Sequence, residues 1–153
     1  MPEPLPGGPA DLKAAWLTAA LRQTGTISSD TTVTSFGLEP VGEGAGFLGQ
    51  LTRVTLTYER ARGTEPASLV GKFPAAATAN REFANLLRFY ERELRFYEEI
   101  AAEVELRTPT PYFTRFDPET GGFVLLMEDL SDVGNQLAGC PPDRALDTVE
   151  RIA

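Results

Sequence analysis

The chain has 153 residues, 42% of them hydrophobic and 24% charged, so its length and composition are those of one globular domain. Its formal net charge of −8 disfavours a nucleic-acid-binding module, because such modules present a basic face. The absence of histidine excludes histidine metal ligands and Ser–His or Cys–His catalytic pairs, and the single cysteine excludes an internal disulfide. No apolar run reaches membrane length, so we expect a cytoplasmic protein with no membrane or nucleic-acid partner.

The first predicted element is a helix over residues 10–22, which follows a Pro/Gly-rich start. Its apolar side chains recur at helical spacing and predict one buried face, made of Leu12, Trp16, Leu17, Ala20 and Leu21. Gly25 is a typical helix stop. Residues 31–41, rich in Thr, Val and Phe, predict the first strand.

Four glycines then precede a second predicted strand at residues 51–60, in which apolar and polar side chains alternate. These glycines are Gly42, Gly44, Gly46 and Gly49. A P-loop is excluded, because the only Gly-Lys pair of the chain, Gly71–Lys72, is not followed by Ser or Thr. A dinucleotide-binding loop must open a helix, whereas a strand follows here. A kinase-type phosphate flap and an ordinary glycine-rich hairpin turn both fit this context, so the loop alone leaves these two alternatives open.

Two charged residues are predicted on apolar surfaces after the loop. Lys72 lies in the third predicted strand, residues 67–74, and Glu93 lies within the apolar face of a helix predicted over residues 80–104. A buried charge needs a partner, although its burial does not say which one. A strand lysine followed by a helix glutamate on the buried side is similar to the arrangement in protein kinases, so, with the glycine loop in the right order, we favour an ion pair between Lys72 and Glu93. The alternatives are a lysine that snorkels to water and a glutamate solvated at the edge of the face.

Two more strands are predicted around a turn at residues 117–122, and they are followed by a helix from residue 141 onward. That helix is still running at Ala153, so we expect that a longer protein has been cut. The predicted organisation is an N-terminal tail and helix at 1–30, a small lobe at 31–127, and a hinge with the start of a truncated second lobe at 128–153.

In this order, the elements resemble the N-terminal lobe of the kinase-like fold. The resemblance is to the aminoglycoside phosphotransferase and choline kinase-like group, and in detail to its ecdysteroid-kinase-like branch. It rests on "LKAAWLTAALR", "VGEGAGFLGQLTRVTLTY", "SLVGKFP", "RELRFYEEIA", "PTPYF" and "VLLMEDL". It implies an α+β fold with an antiparallel five-stranded sheet, one long helix between strands 3 and 4, a preceding N-terminal helix, and truncation before the C-terminal lobe.

The resemblance also implies roles for individual residues. The glycine loop would cover the phosphates of ATP, Lys72 would bind the α- and β-phosphates, and Glu93 would hold Lys72 in place. Met127 would line the back of the adenine slot, with the Glu128 carbonyl and the Leu130 amide bonding the adenine edge. The catalytic Asp and the Mg²⁺ ligands would lie in the missing lobe, so this chain would contain no catalytic or metal-binding residue.

The function implied is that of the ATP-binding small lobe of a small-molecule phosphotransferase. The parent enzyme would transfer a phosphate from ATP to a hydroxyl of a small-molecule acceptor, and the chain would be inactive alone. The alternative is a non-catalytic kinase-like binding module or a gene fragment. A dinucleotide-binding oxidoreductase is disfavoured by the strand after Gly49.

Overall fold

A computed structural model describes residues 4–42, 47–105, 107–131 and 141–142. The helix predicted from residue 141 onward falls almost entirely outside the described residues. Five strands form the sheet: β1 (Thr32–Pro40), β2 (Gly49–Glu59), β3 (Ser68–Pro74), β4 (Pro111–Asp117) and β5 (Gly122–Glu128). The helices are α1 (Ala14–Gln23), α2 (Thr78–Leu86) and α3 (Phe89–Arg95), with a 3₁₀ turn at Pro9–Asp11 and a π-helical turn at Phe96–Ile100.

The sheet is antiparallel throughout, in the order β1-β2-β3-β5-β4, which confirms the predicted α+β fold of a kinase-like N-terminal lobe. The helical connection runs from β3 to β4 at the sheet edge, and β5 then returns between them. This arrangement brings the end of β5 beside the start of β3, where Glu128 pairs with Leu69.

The N-terminal helix covers one face of the sheet. All five side chains predicted for its buried face are buried, and they pack with residues of β1, β2, β3 and β5 in the larger core. The edge of the Trp16 ring meets Phe113 with the ring centroids 5.4 Å apart. The helix ends at Gln23, and the amide of Gly25 donates to the Arg22 carbonyl, so the predicted stop is confirmed.

The opposite face of the sheet is covered by α3. Tyr90 and Leu94 pack on Phe123 and Leu125, and the Tyr90 ring stacks on Phe123 with the centroids 4.2 Å apart. The Tyr90 hydroxyl accepts a hydrogen bond from the Ala75 amide, so the helix is also tied to the end of β3. Because side chains alternate across a strand, β3 directs Leu69 and Phe73 toward the N-terminal helix and Val70 and Lys72 toward α3.

The single long helix predicted between β3 and β4 is instead broken at Arg88. This residue has φ 56° and ψ 33°, the left-handed conformation, which ends α2 and starts α3 in a new direction. As a consequence Phe83, Leu86 and Leu87, predicted on the buried face, are 48%, 78% and 42% exposed. The predicted helix also ends early, in the π-helical turn at Phe96–Ile100. Within the described residues, no helix is long and apolar enough to cross a membrane.

Candidate functional site

The centre of the candidate site is the ion pair between Lys72 and Glu93. The Lys72 ammonium donates to both carboxylate oxygens of Glu93, at 2.6 Å and 2.7 Å. Strand alternation turns Lys72 toward α3, and the buried residues Tyr90 and Leu94 hold Glu93 on the side of α3 that faces the sheet. The pair favoured from sequence is therefore present, whereas its role in binding phosphate stays a prediction.

This ion pair leaves the ammonium able to bind another acceptor. The two side chains are 24% and 29% exposed, so the pair is reachable from solvent. A lysine ammonium has three N–H donors, and Glu93 takes two. No other acceptor among the described residues bonds to it. The third N–H is thus available to an anionic oxygen, held by a carboxylate that fixes the direction of the side chain.

The backbone at Gly49 approaches the Lys72 side chain closely. A Cβ at Gly49 would lie 3.2 Å from Cε of Lys72 and 3.1 Å from the Phe73 carbonyl oxygen, which is tighter than ordinary packing allows. Gly42, at the entry to the loop, has φ 65°, a conformation that favours glycine. These two glycines therefore have steric reasons to be glycine, while Gly44 and Gly46 lie outside the described residues.

An apolar strip continues along the sheet from the ion pair. Leu51 pairs with Lys72, and Val70 pairs with Met127, so all of these side chains share the face on which Lys72 lies. Leu51, Val70 and Met127 are only partly buried. The strip is thus a half-open apolar surface of the kind that a flat aromatic ring can cover, with the cation at one end.

Tyr97 connects the ion pair to this strip. Its hydroxyl donates to the sulfur of Met127 at 3.7 Å. Burial, and the nearby negative charge of Glu93, raise the pKa of the Tyr97 phenol, so it stays a neutral hydrogen-bond donor at physiological pH. Tyr97 therefore lies between Glu93 of the ion pair and Met127 of the apolar strip, and it interacts with both. The sequence places Tyr97 on the apolar face beside Glu93, one helical turn further on, but it gave no reason to assign Tyr97 a role in the site.

At the far end of the strip, Glu128 holds the end of β5 in place. Its amide donates to the Thr110 carbonyl at 2.8 Å, and its carboxylate accepts from Arg107 at 2.6 Å and 2.9 Å. Arg107 and the Thr110 amide lower the pKa of the Glu128 carboxyl to about 2. The amide of Leu130, predicted to contact a nucleobase, bonds to no other residue in the part of the chain that the structure describes.

Asp129 is a second residue that sequence reasoning missed. Its side chain is 8% exposed and accepts from Arg53 Nε and Ser68 Oγ, each at 2.9 Å, and from the Ser131 amide. Burial alone would raise the pKa of the Asp129 carboxyl, but the hydrogen bonds from Ser131 and Ser68 and the charge of Arg53 outweigh it and lower that pKa. The alternation of side chains placed Arg53 on the polar face of its strand, but it did not show that the end of β5, and with it Asp129, lies beside Arg53.

A cavity of about 640 Å³ lies elsewhere, between the N-terminal segment, α2 and the β4–β5 turn. It is lined by Pro74, Asn85 and Gly121 among others and contains none of the predicted site residues. We therefore base the site on the arrangement of charge and exposed apolar surface around Lys72.

A comparison with models of protein families identifies the family to which this site belongs. The model of the ecdysteroid kinase-like family matches residues 43–139, which is more than half of the chain. The chain belongs to the ecdysteroid kinase-like family. The match includes the Lys72–Glu93 pair, the apolar strip and the end of β5, and it supports a kinase-like phosphotransferase as the functional class. No curated protein and no solved structure matches the chain.

Proposed function

We propose that this chain is the ATP-binding small lobe of a phosphotransferase that moves a phosphate from ATP to a hydroxyl of a small molecule, as aminoglycoside phosphotransferases do. The observation that supports it most is the Lys72 ammonium, which is oriented by Glu93 and has one N–H left for an anionic oxygen. Kinases use a strand lysine held by a helix glutamate in this way, to bind the phosphates next to the γ-phosphate that is transferred.

The apolar strip supports a nucleoside triphosphate over a simple anion. The partly buried side chains of Leu51, Val70 and Met127 provide a surface for the adenine ring. The Leu130 amide, which bonds to no other described residue, provides a donor for the edge of the ring. Phosphates at Lys72 would pass beside Gly49, where the backbone carries no side chain. In this proposal the strip and the Leu130 amide orient the base, Lys72 provides the positive charge for the phosphates, and Gly49 lets the backbone come close to them.

Mg²⁺ is expected to accompany ATP, but we assign no metal ligand to this chain. Among the described residues, no three His, Cys, Asp or Glu side chains gather in a way that could hold a metal ion. We likewise assign the transfer step and the contacts of the acceptor hydroxyl to none of the described residues. What we assign to them is the binding and orientation of the nucleotide.

The test is an NMR titration of the ¹⁵N-labelled chain with a non-hydrolysable ATP analogue. We expect Lys72→Ala to weaken the analogue about tenfold or more, because a charge-assisted contact to phosphate is lost. Lys13→Ala is the matched control, since Lys13 is the chain's only other lysine and is exposed just before α1. Equal affinity of the wild type and Lys72→Ala would contradict the proposed function.

A further inference from the structure

Arg53 connects two segments of the chain that flank the apolar strip. Its Nη1 donates to Glu39 Oε2 at 2.9 Å, and its Nε donates to Asp129 Oδ2 at 2.9 Å. Glu39 lies next to the last residue of β1, just before the chain enters the glycine loop, and Asp129 directly follows the end of β5. One guanidinium therefore holds the strand that leads into the glycine loop and the segment that follows Met127 and Glu128.

The two ends of this bridge differ in burial. The Asp129 side chain is 8% exposed and the Glu39 side chain 68% exposed, with Arg53 between them at 26%. A buried carboxylate is costly without its partners, so the Asp129 end is the fixed one, and Ser68 and the Ser131 amide also hold it. An exposed ion pair such as that with Glu39 adds little to folding stability. The consequence of the Arg53–Glu39 pair is geometric, because it links the entry of the glycine loop to the fixed Asp129 end of the bridge.

The position of Arg53 on the sheet shows which end of the apolar strip the bridge adjoins. Arg53 pairs with Val70, whereas Leu51 pairs with Lys72, so Arg53 lies two residues along β2 from the position opposite the ammonium. All of these side chains share one face of the sheet. The guanidinium is thus at the end of the strip away from Lys72, beside the segment that contains Leu130.

We propose that Arg53 is a positioning residue that fixes the entry of the glycine loop relative to the segment after β5 and thereby sets the fit of the nucleobase. It acts through Glu39 and Asp129 and makes no contact with phosphate. This inference rests on the proposed function, and it separates the site into a phosphate end governed by Lys72 and a base end governed by Arg53.

The two ends can be tested with two probes, the ATP analogue and inorganic tripolyphosphate, which has no base. We expect Arg53→Gln to weaken the analogue about tenfold while the affinity for tripolyphosphate stays unchanged. Lys72→Ala should weaken both probes. Arg53→Lys, which keeps the charge but cannot hold both acids in the same fork, should fall between the wild type and Arg53→Gln.

Two further variants keep the test independent of folding. Glu39→Gln changes an exposed side chain, so it should leave stability unchanged and weaken the analogue in the same direction as Arg53→Gln, by a smaller factor. Arg62→Gln is the matched control, because Arg62 forms an exposed ion pair with Asp30 and contacts neither segment. It should leave both affinities unchanged.

The outcomes distinguish this inference from the proposed function. If the wild type binds the analogue and Arg53→Gln binds it equally well, the positioning role is wrong and the proposed function stands. Equal losses for both probes in Arg53→Gln would also overturn the role, because the effect would not be confined to the base. A wild-type chain that binds neither probe would overturn the proposed function and this inference with it.

Discussion

At the scale of single residues, charges in this lobe are held in pairs that fix the backbone around the candidate site. Lys72 is held by Glu93, Arg53 by Asp129 and Glu39, and Glu128 by Arg107. Each pair joins two different segments of the chain. Partly exposed ion pairs stabilise a fold only slightly, so their main consequence here is the direction in which each charged group points.

The Glu128 pair predicts a specific dependence of stability on pH. Because the folded-state pKa of Glu128 is about 2, below its value in the unfolded chain, its contribution is complete above the unfolded pKa and is lost as pH falls toward 2. We expect Glu128→Gln to lower the free energy of unfolding by about 1 kcal/mol at neutral pH, the size of a partly exposed ion pair. The difference from the wild type should shrink as pH falls from about 4.5 to about 2.

The measurement is urea unfolding of both chains across this pH range. Glu103→Gln is the control, because Glu103 is exposed and its side chain has no hydrogen-bond partner among the described residues. A difference between Glu128→Gln and the wild type that stays constant down to pH 2 would show that Arg107 does not lower the pKa of Glu128.

At the scale of elements, the break at Arg88 determines which side chains α2 and α3 bury. Tyr90 and Leu94 reach the sheet, whereas Leu86 stays 78% exposed. A non-glycine residue in the left-handed conformation is strained, and the ion pair of Arg88 with Glu91 accompanies that conformation here. The periodicity of the sequence did not reveal the break, because no proline or glycine marks it and the apolar spacing continues across it.

The break predicts an unusual order of stability for two variants. Both Arg88→Gly and Arg88→Ala remove the ion pair with Glu91, but only glycine adopts φ 56° without strain. We therefore expect Arg88→Gly to be more stable than Arg88→Ala by about 1 kcal/mol. In a continuous helix the order would be reversed by about 1 kcal/mol, because alanine is the better helix former.

Thermal or urea unfolding of the two variants decides between these orders. Arg92, which is exposed and lies inside α3, provides the matched control. There we expect Arg92→Ala to be more stable than Arg92→Gly, because alanine is the better helix former. If alanine is also the more stable residue at position 88, the break at Arg88 is wrong and the helix is continuous.

At the scale of the whole molecule, the sequence was sufficient for the five strands, the N-terminal helix and the central ion pair. Alternation identified the strands, and helical spacing identified the buried face of α1. A charge on each of two apolar surfaces, in the order that protein kinases use, paired Lys72 with Glu93. Such signals are local, or they follow from the cost of burying a lone charge.

What the sequence did not show depends on strand register and on contacts between distant segments. Arg53 meets Asp129 only because β5 returns beside β3, and Arg107 meets Glu128 only because Thr110 lies beside the end of β5. Neither pairing follows from spacing along the chain, since polar side chains on a strand face can be satisfied by many partners. The supports of the candidate site were therefore harder to predict than its centre.

The central claim, that the Lys72 ammonium faces the phosphates of bound ATP, is tested most directly by lysine acylation followed by mass spectrometry. The chain has two lysines, so Lys13 is an internal control in the same sample. We predict that ATP slows the acylation of Lys72 and leaves that of Lys13 unchanged. Equal rates at Lys72 with and without saturating ATP would contradict the claim.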